Sequence, residues 1–72
     1  MQVSEVRERM GSEATELEAY WMREMLIIHG VEATDKVEEA KWLGWCDLAV
    51  HLAKTHGAEG WRPWETRESA GT

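Results

Sequence analysis

Two stretches of this chain carry apolar side chains at helical spacing, and each stretch stops at a glycine. The first runs from about residue 13 to residue 29 and precedes Gly30, and the second runs over about 36–56 and precedes Gly57. Glycine is favoured at the left-handed position that ends many helices. The connection between the stretches is short, as is usual between antiparallel helices. The sequence therefore predicts an all-α fold built on an antiparallel two-helix hairpin.

Helix start signals precede both stretches. Ser12 is a suitable N-cap for the first helix, and Thr15 with Glu18 forms an alternative capping box one turn later. Asp35 with Glu38 has the same capping-box spacing before the second helix. These signals predict where the helices begin.

Both predicted helices are apolar on more sides than one neighbouring helix covers. A chain of 72 residues builds only a small core, and Cys46 is the single cysteine, so no internal disulfide adds stability. We expect a homodimer in a four-helix arrangement to cover the remaining apolar surface. The side chains assigned to the core or to the dimer contact are Leu17, Trp21, Met25, Ile28, Trp42, Trp45, Leu48 and Leu52.

Gly44 lies inside the second predicted helix, one turn after Ala40. A glycine at an interior helix position costs about 1 kcal/mol relative to alanine. That cost favours a structural reason for the residue, and we expect another backbone to approach closely at Gly44.

The whole chain is predicted to be one small helical domain, with residues 1–11 and 66–72 flexible. Between them, Trp61-Arg62-Pro63-Trp64 is predicted to be extended or turn-like, because Pro63 fixes its own φ and disfavours helix at Arg62. Two interpretations of this tail stay open. Its tryptophans either fold back over the apolar end of the hairpin or anchor a partner protein.

The charge balance argues against nucleic acid as a partner. The chain has 8 Lys and Arg against 14 Asp and Glu, a net charge of −6, with no local basic cluster. Nucleic-acid affinity depends mainly on Lys and Arg that neutralise phosphates. The longest unbroken apolar run is four residues, far short of the ~20 that span a bilayer, so no membrane insertion is expected. The start does not resemble a signal peptide and the cysteine is single, which predicts a cytoplasmic protein.

The residue types used in catalysis and metal binding are present but badly spaced. Cys46 and His51 lie five residues apart on one predicted helix and point about 140° away from each other. His29 and His56 end the two helices, and no paired spacing typical of zinc ligands occurs. We therefore expect no enzyme activity, no metal and no cofactor.

The remaining hypothesis is a protein-interaction module. The favoured function is an accessory regulator of the phage or plasmid type that binds and inhibits or modulates another protein. Alternatives are a structural subunit or chaperone of a larger particle and, more weakly, an acidic mimic of nucleic acid. Trp, Tyr and Arg are favoured at binding hot spots. The predicted partner-binding residues are Tyr20, Ile27, Trp61, Arg62 and Trp64.

Overall fold

The computed structural model describes residues 1–58, which form three helices: α1 (Val3–Met10), α2 (Glu16–His29) and α3 (Glu39–His56). No strand occurs within this range. The all-α prediction is confirmed, whereas the predicted helix count of two is wrong, because α1 is an additional helix. In the part of the chain described, none of the helices has the length and apolar character needed to span a bilayer.

α2 is the central helix and packs against both of the others. It runs antiparallel to α3, as two ring contacts show. Trp21, near the start of α2, lies against His56 at the end of α3, and His29 at the end of α2 stacks on Trp45 in the first half of α3. This antiparallel pairing places one side of α2 beside one side of α3 along the line where the two helices meet, which we call the seam.

α1 forms within the segment that was predicted to be flexible. Val3 and Val6 are 2% and 0% exposed, so one side of this short helix enters the core. Two arginine side chains fix its ends: Arg7 Nε donates to the carbonyl oxygen of Ala14 at 2.7 Å, and Arg23 Nε donates to that of Met1 at 2.7 Å. These are tertiary contacts, and a local apolar pattern of only two valines does not predict them.

Both predicted helix ends hold, whereas the predicted starts hold only for the alternative capping box of the first helix. α2 starts after the Thr15–Glu18 capping box rather than after Ser12, with Glu18 N donating to Thr15 Oγ1 at 3.1 Å. Gly30 ends α2 at a left-handed φ of 70°, and Gly57 ends α3 at a φ of 58°. α3 starts at Glu39 instead of about residue 36, because the Asp35 carboxylate accepts a hydrogen bond from Glu32 N at 2.9 Å and so stabilises the preceding turn.

The core lies where the three helices meet. Its largest fully buried side chains are Val6 of α1 and Met22 and Leu26 of α2. Within residues 1–58, the buried apolar residues are Val3, Val6, Ala19, Tyr20, Met22, Met25, Leu26, Ala33, Trp42, Ala49 and Ala53. α3 contributes mainly small side chains to this set, which lets it approach α2 closely.

Candidate protein interface

Six apolar residues of the α2–α3 pair form a surface that we call the outer face. At about 100° per residue, the three from α2 share an arc of about 40° and the three from α3 share one of about 60°. The Trp21–His56 and His29–Trp45 contacts place these two arcs side by side. α1 lies against other sides of both helices, through Arg23 of α2 and Trp42 of α3. The outer face consists of Leu17, Trp21, Ile28, Trp45, Leu48 and Leu52, which are all half-buried or exposed.

Trp21 stands at one end of the outer face and is held in place by a hydrogen bond. Its Nε1–H donates to the carbonyl oxygen of Gly57 at 3.1 Å. The His56 ring lies 5.4 Å away between centroids, and the Tyr20 ring packs edge-on at 5.3 Å. The half-buried indole is therefore fixed in position while part of its surface still faces solvent.

Trp45 stands at the other end. Its ring stacks on His29 with 4.7 Å between centroids and an angle of 13° between the planes. Both tryptophans present a rigid, partly exposed apolar surface. Burial of such side chains at a contact loses little conformational entropy, since an indole already fixed has little freedom left.

Among the described residues, four large apolar side chains are exposed, and two of these belong to the outer face. Ile28 is 80% exposed and Leu48 is 46% exposed, and both lie between the two tryptophans along the seam. Ile27, 49% exposed, points about 100° away from Ile28 around α2. Leu43, 54% exposed, points about 140° away from Leu48 around α3. The chain thus offers two pairs of exposed residues of the same type, Ile28 with Ile27 and Leu48 with Leu43, in which the first lies on the outer face and the second does not.

The eight residues predicted for the core or the dimer contact divide between two places. Met25 and Trp42 are buried in the core, and the other six are the residues of the outer face. The sequence pattern did not separate these groups, because both lie on apolar stripes. The structure brings the six together on one surface.

The residues predicted for partner binding do not form one site. Tyr20 is 6% exposed and belongs to the core, so its assignment as a contact residue is corrected. Ile27 is exposed, as a contact residue must be. Trp61, Arg62 and Trp64 lie outside the described residues.

Gly44 does not mark a close approach within the described protomer. A Cβ atom built at this position meets no atom within 4 Å. The residue is exposed and lies about 40° from Leu48 around α3, beside the outer face. The expected backbone contact is therefore not made by any of residues 1–58.

Arg9 is the structural residue that sequence reasoning missed most clearly. Its Nη1 donates to the carbonyl oxygens of Ala33 and Asp35 at 2.6 and 2.5 Å, and its guanidinium lies 4.0 Å from the ring centroid of Trp42. Arg9 therefore joins α1, the α2–α3 connection and the start of α3. The sequence shows only that Arg9 follows Val3 and Val6 and lies far from Trp42, and this does not predict the contact.

Cys46 is half-buried on α3 and does not form a reactive centre with His51. Burial raises the pKa of its thiol, the Asp47 carboxylate raises that pKa further, and Arg9 opposes both. The neutral thiol is therefore favoured, and a nucleophilic thiolate is disfavoured. His51 Nε2 lies 3.4 Å from Thr55 Oγ1. Within residues 1–58, no group of three His, Cys, Asp or Glu side chains is placed to hold a metal ion.

Comparison with known protein families shows a match over most of the described chain. Residues 2–56 match the family described as anti-CRISPR type I subtype E3-like. The chain belongs to this family. No curated protein and no solved structure matches it.

The family match covers the helices that carry the outer face. The matched range contains all three helices and ends with α3, before the tail that carries Trp61 and Trp64. An anti-CRISPR protein is a small inhibitor of the phage type, and its partner is another protein. The prediction of a phage-type inhibitor that binds a protein is confirmed at this level.

Proposed function

We propose that this chain inhibits a type I-E CRISPR system by binding a protein subunit of Cascade, its RNA-guided surveillance complex, through the outer face. The family match supports the system, because its description names type I and subtype E3. The single structural observation that carries the proposed contact is the outer face itself. It combines two fixed, half-buried tryptophans with Ile28 and Leu48, which are 80% and 46% exposed.

The composition of the outer face fits a binding hot spot. Tryptophan is enriched at hot spots, which lie in central, desolvated parts of an interface. Trp21 and Trp45 are held by Gly57 and His29, so their positions are set before binding. Binding to a preformed surface avoids much of the entropy cost that flexible side chains incur.

The acidic charge of the chain supports the encounter with such a target. A complex that holds RNA and DNA carries basic surfaces, because it must neutralise phosphates. The net charge of −6 attracts the chain towards them and raises the association rate, more strongly at low salt. We assign affinity to the outer face and encounter rate to the carboxylates. Mimicry of nucleic acid, the weaker alternative, predicts instead that the carboxylates carry the affinity.

The proposed inhibition is non-catalytic and takes place in the host cytoplasm, where the surveillance complex works. The chain blocks its target by occupancy, so the inhibitor acts in proportion to its amount. An assembly subunit or chaperone, the other alternative, has no specific observation in its favour.

The homodimer expected from the sequence competes for the same surface. A second copy seated on the outer face and a Cascade subunit bound there exclude each other. The proposal commits to the Cascade subunit as the inhibitory partner. Sedimentation equilibrium of the isolated chain at micromolar concentration tests the dimer independently, and a clean 8.3 kDa monomer contradicts it.

Titration of the chain into a purified type I-E interference reaction tests the proposal. We expect target-DNA cleavage to fall linearly with inhibitor and to stop near a fixed molar ratio. Leu48→Glu places a charge on the outer face and should abolish inhibition. Leu43→Glu places the same charge on a similarly exposed residue away from that face and should leave inhibition intact. Equal inhibition by both variants, or sub-stoichiometric turnover of the target, contradicts the proposal.

A further inference from the structure

We infer that the outer face receives one amphipathic α-helix of its target, laid along the seam, with a basic side chain of that helix opposite Glu24. This identification of the partner rests on the proposed function and adds to it the kind of structure that the surface binds. The hydrogen-bonding capacity of the outer face, its dimensions and the charges at its edges all favour such a helix.

The outer face offers almost no hydrogen-bonding capacity. Its aliphatic side chains have none, and each indole has a single N–H donor. Trp21 Nε1 already donates to the carbonyl oxygen of Gly57 at 3.1 Å, which leaves the indole of Trp45 as the remaining donor. The backbone beneath lies mostly in helix interiors, where its polar groups bond within α2 and α3. A partner that covers this surface must therefore satisfy its own backbone hydrogen bonds.

An α-helix is the smallest partner that does so. Each interior N–H group of a helix bonds to the carbonyl oxygen four residues earlier, so a helix meets an apolar surface with side chains alone. An extended segment or a loop buries N–H and C=O groups that this surface leaves without partners, and each such group costs free energy. The chemistry of the outer face thus favours a helical segment of the target over an extended one.

The seam has the dimensions of a single helix. Packed helices lie about 8–10 Å apart, and a helix with its side chains is about 10–12 Å wide. From Leu17 to Ile28 the outer face extends about 16 Å along α2, which corresponds to about eleven residues of a partner helix. A helix of this length presents about three or four apolar side chains on one side. One helix along the seam therefore covers both arcs of the outer face.

Charged residues lie at the edges of the outer face. Glu24 is half-buried and lies about 20° from Leu17 around α2, on the edge away from Trp21 and the seam. Lys41 is exposed and lies about 20° from Leu48 around α3, at the end of the face where α3 begins. A partner helix with Lys or Arg on the flank over α2, and Asp or Glu near its end at Lys41, complements both charges.

A second copy of the chain fits the same surface less well. Each copy has a net charge of −6, so two copies repel each other at long range, whereas a partner with a basic flank is attracted. A second copy also brings two helices with their own Glu24 rather than one helix with a basic flank. Charge complementarity therefore favours a helix of the target, and the second copy remains an outcome that the test separates.

Charge reversal at Glu24 tests the basic flank. Glu24→Lys should raise the dissociation constant for purified Cascade by at least about tenfold, because it replaces a close attraction by a repulsion. Glu8→Lys is the matched control, since it changes the net charge equally but lies on the exposed side of α1, away from the outer face. It alters only the long-range attraction and should change the dissociation constant by less than about threefold. Equal losses in the two variants contradict the basic flank.

Photo-crosslinking of the complex with purified Cascade tests the helix itself. The probe is p-benzoylphenylalanine, introduced singly at Gly44 and at Thr55, which are exposed, lie about 20° apart around α3 and are about 16 Å apart along it. Both positions lie beside Leu48, and a Cβ atom at Gly44 meets no atom within 4 Å. The same probe at Leu43, which is exposed but off the outer face, is the control.

The spacing of the labelled residues identifies the partner. The Gly44 and Thr55 probes should label one segment of one Cascade subunit at places about eleven residues apart, since a helix rises 1.5 Å per residue. The Leu43 probe should leave that segment unlabelled. A separation of about five residues is that of an extended segment, which rises about 3.3 Å per residue, and it overturns the inference. Labels on another copy of the chain, with a heavier sedimenting species, overturn it in favour of a second copy.

Failure of the helix and failure of the proposed function give different results. The proposed function fails when Ile28→Ala leaves the dissociation constant for Cascade unchanged. The helix alone fails when Ile28→Ala weakens binding while the Gly44 and Thr55 probes label an extended segment, separate segments or no part of the bound Cascade.

Discussion

The two sides of α2 differ in what holds their apolar residues. On the side that meets α1, Met22 and Leu26 are completely buried, and arginine side chains bond to backbone carbonyl oxygens across the helix ends. On the outer face, Ile28 is 80% exposed although it lies only two residues after Leu26. The same helix thus has one side whose large apolar residues are buried in the core, and another on which Trp21 still packs against the core while Ile28 remains exposed. An apolar residue needs a packing partner before its hydrophobicity stabilises the fold.

The largest expected effect is on the inner side. Leu26→Ala should lower the free energy of unfolding by about 2–5 kcal/mol, because it removes a fully buried side chain and leaves a cavity. A domain of this size has only roughly 4–11 kcal/mol in total, so the variant should be partly or largely unfolded. Urea denaturation followed by circular dichroism measures the change. A loss below about 1 kcal/mol removes the distinction between the two sides.

A smaller effect is expected at the contact that holds α1. Arg9→Ala should lower the free energy of unfolding by about 1–2 kcal/mol, since it removes hydrogen bonds to Ala33 and Asp35 and the stacking on Trp42. Arg9→Lys should recover only part of this loss, because a lysine lacks the planar fork of donors. Glu8→Ala, at the neighbouring exposed position, is the control and should change stability by less than about 0.5 kcal/mol. Equal stability of the Arg9 and Glu8 variants contradicts the structural role of Arg9.

A substitution at Gly44 should increase the free energy of unfolding, whereas the two preceding substitutions decrease it. Gly44→Ala should raise the free energy of unfolding by up to about 1 kcal/mol, because alanine favours the helix and its Cβ meets no atom within 4 Å. Thermal and urea unfolding of the isolated chain measure this gain. A destabilised variant at concentrations where it is dimeric indicates a backbone contact supplied by a second copy.

Cys46 should produce the smallest effect, and only at alkaline pH. Burial and Asp47 raise the pKa of its thiol above the ordinary value of 9.0, so folding favours the neutral form. The contribution to stability is complete below the unfolded pKa and is lost as the pH rises through the folded pKa. The stability of the wild-type chain should therefore fall relative to Cys46→Ser as the pH rises above the ordinary thiol pKa of 9.0. Parallel curves for the two chains contradict this account of the thiol.

The predictable part of the fold is the part set by local signals. Thr15 with Glu18, Gly30 and Gly57 act through bonds and backbone angles within a few residues, and all of them end or start helices in the structure. Asp35 misled the assignment, because the same side chain that caps helices also stabilises turns, and here it accepts from Glu32. Nearby sequence gives no means of separating these two uses.

Tertiary placement explains the rest of the differences. Arg9 bonds to Ala33 and Asp35, more than 20 residues away along the chain, so nothing beside it predicts that α1 is held in place. Leu26 and Ile28 are both apolar residues of α2, yet α1 packs against the side that carries Leu26 and leaves Ile28 exposed. The helical pattern of apolar residues identifies side chains that favour burial. Only the packing of the three helices determines which of them are buried and which remain exposed.

The central claim is that the exposed residues of the outer face, Ile28 above all, bind the target without stabilising the isolated chain. The most direct test measures two quantities for Ile28→Ala and Ile27→Ala: the free energy of unfolding and the dissociation constant for purified Cascade. Both variants should keep their stability within about 0.5 kcal/mol, since both side chains are substantially exposed. Ile28→Ala should weaken binding by at least about tenfold, equivalent to 1.4 kcal/mol, while Ile27→Ala leaves it unchanged. If Ile27→Ala weakens binding and Ile28→Ala does not, the contact lies where the sequence first suggested it, and the outer-face account is wrong.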